Sequence, residues 1–190
     1  MVNSKPTSRQ RILAAAAAVA SEAGASNLSL DAVAQRAGVS KGGLLYNFPT
    51  KAKLLQGLVQ NHIDEFEISL AAATGAGNGA SLLGAYLRSC VRECASDDTP
   101  PSGVLAALAE DPDMLEPVKL HKRRMLDRLA AETSNPSRML RSFLIVEGLR
   151  SQTLLDIDVL TDEERGLVLA TLMAEAEWAD SAVMENAATT

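Results

Sequence analysis

The residues between Ser29 and Lys51 are the part of this sequence whose types and spacing could do chemistry. Lys41 and Lys51 carry positive charge on either side of Tyr46 and Asn47. Ammonium, phenol and amide groups are common hydrogen-bond donors to phosphate oxygens. We find no nucleophile with a matched base, no HExxH motif, no phosphate-binding glycine loop and no CxxC pair. The residue types therefore favour binding of a phosphodiester backbone over catalysis.

Two short helices, over residues 30–37 and 41–48, are predicted to position these groups. In the linking sequence AGVS, Gly38 accepts the positive φ of a tight turn, and Ser40 can cap the next helix. The small Ala34 permits a close helix crossing, as in a helix-turn-helix unit. Leu44 and Phe48 lie four residues apart and are predicted to face inward. The opposite face, which would enter a DNA major groove, consists of Lys41, Gly42, Gly43, Tyr46 and Asn47.

The stretch LSLDAVAQRAGVSKGGLLYNFPTKAKLL, residues 28–55, resembles the DNA-binding signature of TetR-type (tetracycline-repressor-like) transcriptional regulators. The specific resemblance covers residues 8–55, and beyond them only the architecture matches. It implies a dimeric protein with a variable helical domain that binds a small molecule. We therefore expect a repressor that a ligand releases from a palindromic operator. A transcriptional activator and a ligand-insensitive DNA-binding factor are the alternatives.

The resemblance implies phosphate contacts from Ser29, Lys41, Tyr46 and Lys51, and base-edge approach at Gly43 and Leu45. Because Gly43 and Leu45 offer few polar groups to bases, we expect more specificity from other side chains and from DNA shape. Gln35 and Asn47 join Lys41 in that hypothesis. The complete set of predicted DNA-binding residues is Arg9, Ser29, Gln35, Arg36, Ser40, Lys41, Gly42, Gly43, Leu45, Tyr46, Asn47 and Lys51.

The distribution of charge separates the first quarter of the chain from the rest. The 190 residues carry a net charge of −6, yet residues 1–53 hold seven basic side chains against Glu22 and Asp31. The remainder holds eleven basic and twenty-two acidic residues. This asymmetry indicates that the two parts meet different partners. No apolar run reaches the roughly 18 residues of a membrane span, and we expect a cytoplasmic protein.

Apolar spacings of three and four residues predict an all-α protein of about nine helices. We expect a helix-turn-helix domain over residues 1–50 and an effector-binding and dimerisation domain over residues 51–190. Besides the two short helices over 30–37 and 41–48, helices are predicted over 8–23, 51–74, 81–95, 103–110, 112–131, 136–155 and 161–184.

The alanine-rich run within residues 9–24 has two interpretations. Basic residues followed by an apolar stretch are typical of a secretory signal peptide. Alanine is, however, the best helix former and only weakly hydrophobic. Ile12, Ala16 and Val19 form one stripe that a pair of DNA-binding helices needs behind it, so we favour a folded first helix.

Polar residues on otherwise inward faces of the later helices are candidates for effector contacts. Glu147 interrupts an apolar helix and, if buried, would favour a cationic effector. The predicted ligand-binding residues are His62, Phe66, Tyr86, Cys90, His121, Met125, Phe143 and Glu147. The predicted dimer interface is a four-helix bundle of the last two helices, through Phe143, Val146, Leu149, Leu154, Leu169, Leu172, Met173 and Ala176, with Gly148 and Ser151 permitting close approach.

Several of these residues also have other interpretations. His62 and His121 could belong to a small helical metal-dependent enzyme, but their positions on separate helices make a regulator the better interpretation. Cys90 and Cys94 share one helical face and could be a redox pair, although buried thiols are more common. We expect no cofactor, no resident metal and no membrane partner. The expected partners are double-stranded DNA, a second copy of the chain and an unknown small molecule.

Overall fold

The computed structural model describes residues 6–23, 28–74, 80–95, 111–155 and 157–188. These residues form eight α-helices and no strand, which confirms the predicted all-α class. The helices are α1 (Ser8–Ala23), α2 (Leu30–Ala37), α3 (Lys41–Asn47), α4 (Lys51–Thr74), α5 (Leu82–Ala95), α6 (Glu116–Glu132), α7 (Pro136–Leu155) and α8 (Asp162–Ala188). A 3-10 turn, Pro112–Leu115, leads into α6. The helix predicted over 103–110 lies outside the described residues.

The alanine-rich run forms α1, as the helix interpretation predicts. Thr7 and Gln10 form a capping box at its start: the Thr7 amide donates to Gln10 Oε1 at 2.8 Å, and the Gln10 amide donates to Thr7 Oγ1 at 3.2 Å. Ile12 and Ala16 are fully buried. The small side chains of this run therefore belong to a packed core.

The described residues fall into two compact units. The first contains the residues up to Asp64 together with 111–120, and the second contains 65–95 and 121–188. Leu54, Leu55 and Val59 of α4 are buried in the core of the first unit. The first half of α4 thus packs with α1 to α3.

A glycine in α4 shows how closely the first unit is packed. A Cβ atom placed on Gly57 would lie 2.6 Å from Phe48 Cε1 and 3.2 Å from Leu13 Cδ2. Only glycine leaves room for Phe48, which follows α3 directly and is 3% exposed. This contact anchors the end of the helix that carries the predicted DNA-contacting face.

In the second unit, a carboxylate of α8 bonds to the start of α5, in addition to the apolar packing between the two helices. Asp180 Oδ1 accepts hydrogen bonds from the Ser81 amide at 2.8 Å and the Ser81 hydroxyl at 2.9 Å, and Asp180 Oδ2 pairs with Arg88 at 2.8 Å. A Cβ atom on Gly84 would lie 2.2 Å from Asp180 Oδ1. Glycine at position 84 is therefore required for this close approach.

Among the described residues, no helix is both long and apolar enough to span a bilayer.

Candidate nucleic-acid interface and effector site

The turn between α2 and α3 has the geometry of a Schellman motif. Gly38 adopts φ 63° and ψ 38°, in the left-handed region that favours glycine. Its amide donates to the Gln35 carbonyl at 3.2 Å, and the Val39 amide donates to the Ala34 carbonyl at 3.1 Å. Ser29 begins α2 by accepting a hydrogen bond from the Ala32 amide at 3.2 Å. The two helices are thus joined as the sequence predicts.

α3 presents one face to the core of its unit and one to solvent. Ser40 Oγ accepts from the Gly43 amide at 3.1 Å, which caps the helix start. Leu44 is fully buried. Tyr46 is 89% exposed, the other outward residues are also exposed or half-buried, and Leu45 lies at the edge of the face. This short helix therefore offers an accessible surface without disturbing its core side.

Several polar side chains near this face already have partners within the first unit. Lys41 Nζ lies 2.9 Å from Asp31 Oδ1, and both side chains are largely exposed. Asn47 Nδ2 donates to the Gly43 carbonyl of the preceding turn at 2.9 Å. The Arg9 guanidinium lies 5.1 Å from the centre of the Phe48 ring. An exposed lysine–aspartate pair is weak and exchanges readily for a phosphate, whereas the Asn47 amide is directed toward its own helix.

All twelve predicted DNA-binding residues lie in the first unit. Gln35 and Arg36 are exposed on α2, and Lys51 is half-buried at the start of α4. Sequence reasoning missed Glu22 and Asp31 as the acidic partners of Arg36 and Lys41. These pairs join different helices, so no helical spacing could have revealed them.

The second unit brings seven of the eight predicted ligand-binding residues into its core and its ion pairs. The Phe66 ring meets Tyr86 at 6.0 Å and His121 at 5.9 Å between centroids, both edge-to-face. Tyr86 stacks on Phe143 at 5.9 Å. Cys90 and Met125 are buried in the same core. His62, on α4, belongs to the first unit, so it is not among the residues that the second unit assembles.

Glu147 lies at the polar end of this aromatic cluster, and its side chain is 14% exposed. Tyr86 Oη donates to Glu147 Oε1 at 3.3 Å. Lys122 forms a close ion pair with the other carboxylate oxygen, and Arg150 lies 3.7 Å away. Burial is the main effect that raises the pKa of Tyr86, with Cys90 and Glu147 adding to it. The phenol therefore stays protonated and serves as a hydrogen-bond donor.

Arg150 is a member of the cluster that sequence reasoning missed. Its guanidinium pairs with Glu93 at 3.1 Å and lies 5.3 Å from the centre of the Phe66 ring. Its position three residues after Glu147 was the available signal, because i and i+3 residues share a helical face. Lys122, Glu67 and Glu93 were also missed, since their partners lie on other helices.

His121 contacts the cluster as a mainly neutral imidazole. Burial lowers its pKa more than the nearby Glu67 raises it, and neighbouring arginines, Arg124 first, lower it further. His121 Nδ1 lies 3.4 Å from Glu67 Oε1. Within the described residues, no three His, Cys, Asp or Glu side chains gather as a metal site.

The two cysteines are free thiols buried on α5. Burial is the largest effect on both and raises the pKa of Cys90 to about 12. It raises the pKa of Cys94 as well. The raised pKa keeps both groups protonated, and the thiolate is the reactive form of cysteine. Both thiols therefore pack as small apolar side chains.

Most of the predicted dimer residues lie in the core of their own unit. Phe143, Val146, Leu149, Leu172 and Ala176 are each at most 8% exposed. Side chains buried within one protomer have little surface to offer a second one. Leu154, Leu169 and Met173 are half-buried. The outer faces of the same helices instead expose Leu140, Leu144, Gly148, Ser151 and Leu155 on α7 and Leu167, Ala170 and Ala174 on α8.

Solved structures share this architecture. A TetR-family member from Streptomyces coelicolor A3 has 28% sequence identity and a TM-score of 0.65, with 88% of this chain and 98% of that chain covered. The multidrug binding protein EbrR, in complex with malachite green, has 25% identity and a TM-score of 0.66, with 90% and 99% covered. EbrR is also known in complex with ethidium. Among curated protein sequences, none matches this chain significantly.

Two family models match the chain, one over its predicted DNA-binding part and one over its predicted effector-binding part. Residues 12–58 match the model of bacterial regulatory proteins of the tetR family. Residues 80–177 match the tetracyclin repressor-like C-terminal domain. The first match contains the capped turn of α2 and α3, and the second contains Tyr86, Phe143 and Glu147. The chain therefore belongs to the TetR family of transcriptional regulators, which are DNA-binding transcription factors rather than enzymes.

Proposed function

We propose that this regulator is a repressor that binds a palindromic operator as a homodimer and is released by a small organic cation. The observation that carries the DNA-binding half is α3, a short capped helix whose outward face is open and whose opposite face is buried. TetR-family proteins bind operators as dimers and respond to small molecules. Such a protein acts where the DNA is, so we infer a cytoplasmic location.

In the proposed complex, α3 enters the major groove and phosphates pass on both sides of it. Tyr46 and Lys51 donate to phosphate oxygens, and the capped start of α3 adds helix-dipole attraction. Lys41 exchanges Asp31 for a phosphate. Ser29 and Arg9 lie among the exposed polar groups available to the backbone.

Sequence recognition is proposed to depend on few direct hydrogen bonds. Leu45 can meet a thymine methyl group, and Gly42 and Gly43 let the helix approach the bases closely. Gln35 is exposed, whereas the Asn47 amide must leave the Gly43 carbonyl before it can bind a base. We therefore assign a larger share of the specificity to DNA shape and deformability.

The dimer is proposed to form through the exposed faces of α7 and α8. Leu144 is 66% exposed on α7 and Leu167 is 66% exposed on α8. A Cβ atom placed on Gly148 would meet no atom within 4 Å, so this position leaves room for a neighbouring helix. Twofold symmetry then places two copies of α3 roughly 34–36 Å apart, one turn of DNA.

The effector class is proposed from the chemistry around Glu147. A largely buried carboxylate beside stacked aromatic rings suits an organic cation with an apolar body. EbrR, which shares the fold, binds malachite green and ethidium, and both dyes are aromatic cations. To release most of the DNA, the ligand must prefer the released state by about 10⁴-fold.

The first experiment selects an operator from a pool of random duplexes and measures affinity at several salt concentrations. We expect Tyr46→Ala to weaken operator binding about tenfold, because each of the two protomers loses a hydrogen bond that contributes about 0.7 kcal/mol. Lys51→Ala should reduce the slope of log affinity against log salt by about 1.8, because each of the two protomers loses one phosphate contact. Lys119→Ala, an exposed lysine on α6 paired with Glu116, is the matched control and should change neither quantity.

A reporter experiment tests the regulatory half of the proposal. The selected operator is placed within a promoter, and expression is compared with and without the regulator. Repression relieved by tetraphenylphosphonium, a cation that does not intercalate, supports the proposal. Expression that rises when the regulator is added would identify an activator, and repression unaffected by cations would contradict the effector class.

A further inference from the structure

Lys122 occupies the position at Glu147 that an external cation would need. Its ammonium group contacts Glu147 directly, at the end of the carboxylate not used by Tyr86. The Glu147 side chain is 14% exposed, whereas that of Lys122 is 42% exposed. The Glu147 carboxylate is therefore fixed within the second unit, while the Lys122 ammonium group reaches it from the solvent side.

The other cation near Glu147 is held more firmly. Arg150 has a second carboxylate partner in Glu93 and lies over the face of Phe66. Its side chain is only 19% exposed, and its distance of 3.7 Å from Glu147 is beyond hydrogen-bond length. Displacing Arg150 would break its contacts with Glu93 and Phe66 in a largely buried environment. Displacing Lys122 returns an ammonium group to water.

We propose that Lys122 is an internal substitute for the effector's cationic group: it neutralises Glu147 in the unliganded protein and is displaced when an organic cation binds. This inference rests on the proposed function, because it assumes that the cation binds at Glu147. It makes Lys122 a specificity-determining residue that weakens the site for every cation. Only ligands that also bury apolar surface against the aromatic cluster would displace it.

The neutral state of His121 supports the assignment. His121 touches Phe66 edge-on and has a pKa lowered chiefly by burial, so it adds little positive charge to the cluster at neutral pH. The charged groups that face Glu147 in the described residues are then Lys122 and Arg150. Of these two, Lys122 is the one that can leave without opening the core.

The test is a set of ethidium titrations on full-length protein without DNA, followed by fluorescence. Lys122→Met should tighten ethidium binding about two- to fivefold, the range of a partly exposed ion pair. Lys119→Met removes the same charge three residues earlier on α6 and should leave binding unchanged. Phenanthridine, the uncharged parent of ethidium, should bind Lys122→Met and the parent protein equally.

A double-variant comparison separates a direct contact from a general effect of charge. In a Glu147→Gln background, the added Lys122→Met change should no longer tighten ethidium binding, because the carboxylate that both cations share is gone. A gain that persists in that background would overturn the inference. So would unchanged or weaker ethidium binding by Lys122→Met, or a loss of binding to the anion 8-anilinonaphthalene-1-sulfonate, which would make Lys122 an anion anchor.

The outcomes for the two proposals differ. If Glu147→Gln weakens ethidium binding while Lys122→Met has no effect, the cation site stands and the role of Lys122 is refuted. If the parent protein does not bind ethidium, or Glu147→Gln leaves its binding unchanged, the proposed effector class fails and the inference fails with it. Circular-dichroism melting of each variant without ligand shows that the fold is intact.

Discussion

Glu22 holds Arg36 through two parallel hydrogen bonds, each 2.7 Å long, that join α1 to α2. A bidentate carboxylate–guanidinium pair fixes both the position and the plane of the arginine. Hydrogen bonding to Arg36, and then its charge, lower the pKa of Glu22, so the pair is ionised at neutral pH. Arg36 is thereby engaged within its own unit, although sequence position alone made it a candidate for DNA contact.

This pair predicts that Arg36 contributes little to operator binding. We expect Arg36→Ala to weaken affinity by less than about threefold, because an arginine that would have to leave a bidentate partner gains little from a phosphate. Fluorescence anisotropy on a labelled operator measures this, with Tyr46→Ala as the variant expected to lose about tenfold. A loss of similar size in both variants would show that Arg36 leaves Glu22 when DNA binds.

The close packing around Gly57 predicts that a larger side chain at this position destabilises the protein. Gly57→Ala introduces a methyl group 2.6 Å from Phe48 Cε1, and we expect it to lower the free energy of unfolding by about 1–3 kcal/mol, as overpacking of cores does. Chemical denaturation measures the change. Gly166→Ala on α8 meets no atom within 4 Å and should instead stabilise the protein by about 0.5–1 kcal/mol through helix propensity. Equal effects at the two positions would contradict this packing argument.

Asp180 predicts a stability that depends on pH. Burial acts to raise its pKa, but hydrogen bonds from Arg88 and Ser81 more than compensate, so the pKa lies below its ordinary value. A carboxylate with a lowered folded-state pKa stabilises fully above its unfolded pKa, about 4, and loses this contribution as pH falls further. We expect Asp180→Ala to lower stability by about 1–3 kcal/mol at pH 7, because Ser81 and Arg88 lose their acceptor.

Asp180→Asn separates charge from hydrogen bonding in this contact. Its amide oxygen can still accept from Ser81, but the ion pair with Arg88 is lost, so the destabilisation should be smaller, about 1 kcal/mol. The difference in free energy of unfolding between parent and variant should shrink between about pH 4 and pH 2. Asp127→Asn, an exposed partner of Arg123, serves as the control. A difference that stays constant over this range would refute an ionic role for Asp180.

The sequence predicted those features that depend on neighbours along the chain. Apolar spacing located the helices, and Gly38 and Ser40 identified the turn and cap, because a positive φ and an N-cap are local requirements. The inward direction of Leu44 and the outward direction of Tyr46 followed from the same helical period. These local requirements are sufficient to specify the helix-turn-helix unit.

Features that depend on two distant segments were not predictable in the same way. The partners of Arg36 and Lys122 lie on other helices, and no spacing rule links them. The face that α7 turns outward was also missed, because that helix is apolar on most sides and its sequence does not say which side meets its own core. Phe143 and Val146 proved to be core residues, while Leu144 lies on the exposed face.

That exposed face gives the final prediction, on assembly. Leu144 is 66% exposed on α7, near Leu140 and Gly148, and a charge there would be buried without a partner in the proposed dimer. We expect Leu144→Glu to be a folded monomer by sedimentation velocity at concentrations where the parent is a dimer. It should lose at least about 10²-fold in operator affinity, because a single half-site retains only part of the contacts.

Ile68→Glu, at a position 70% exposed on α4, is the control variant and should remain dimeric and bind the operator normally. A dimeric Leu144→Glu protein would place the interface elsewhere, and a monomeric parent would refute the dimer altogether.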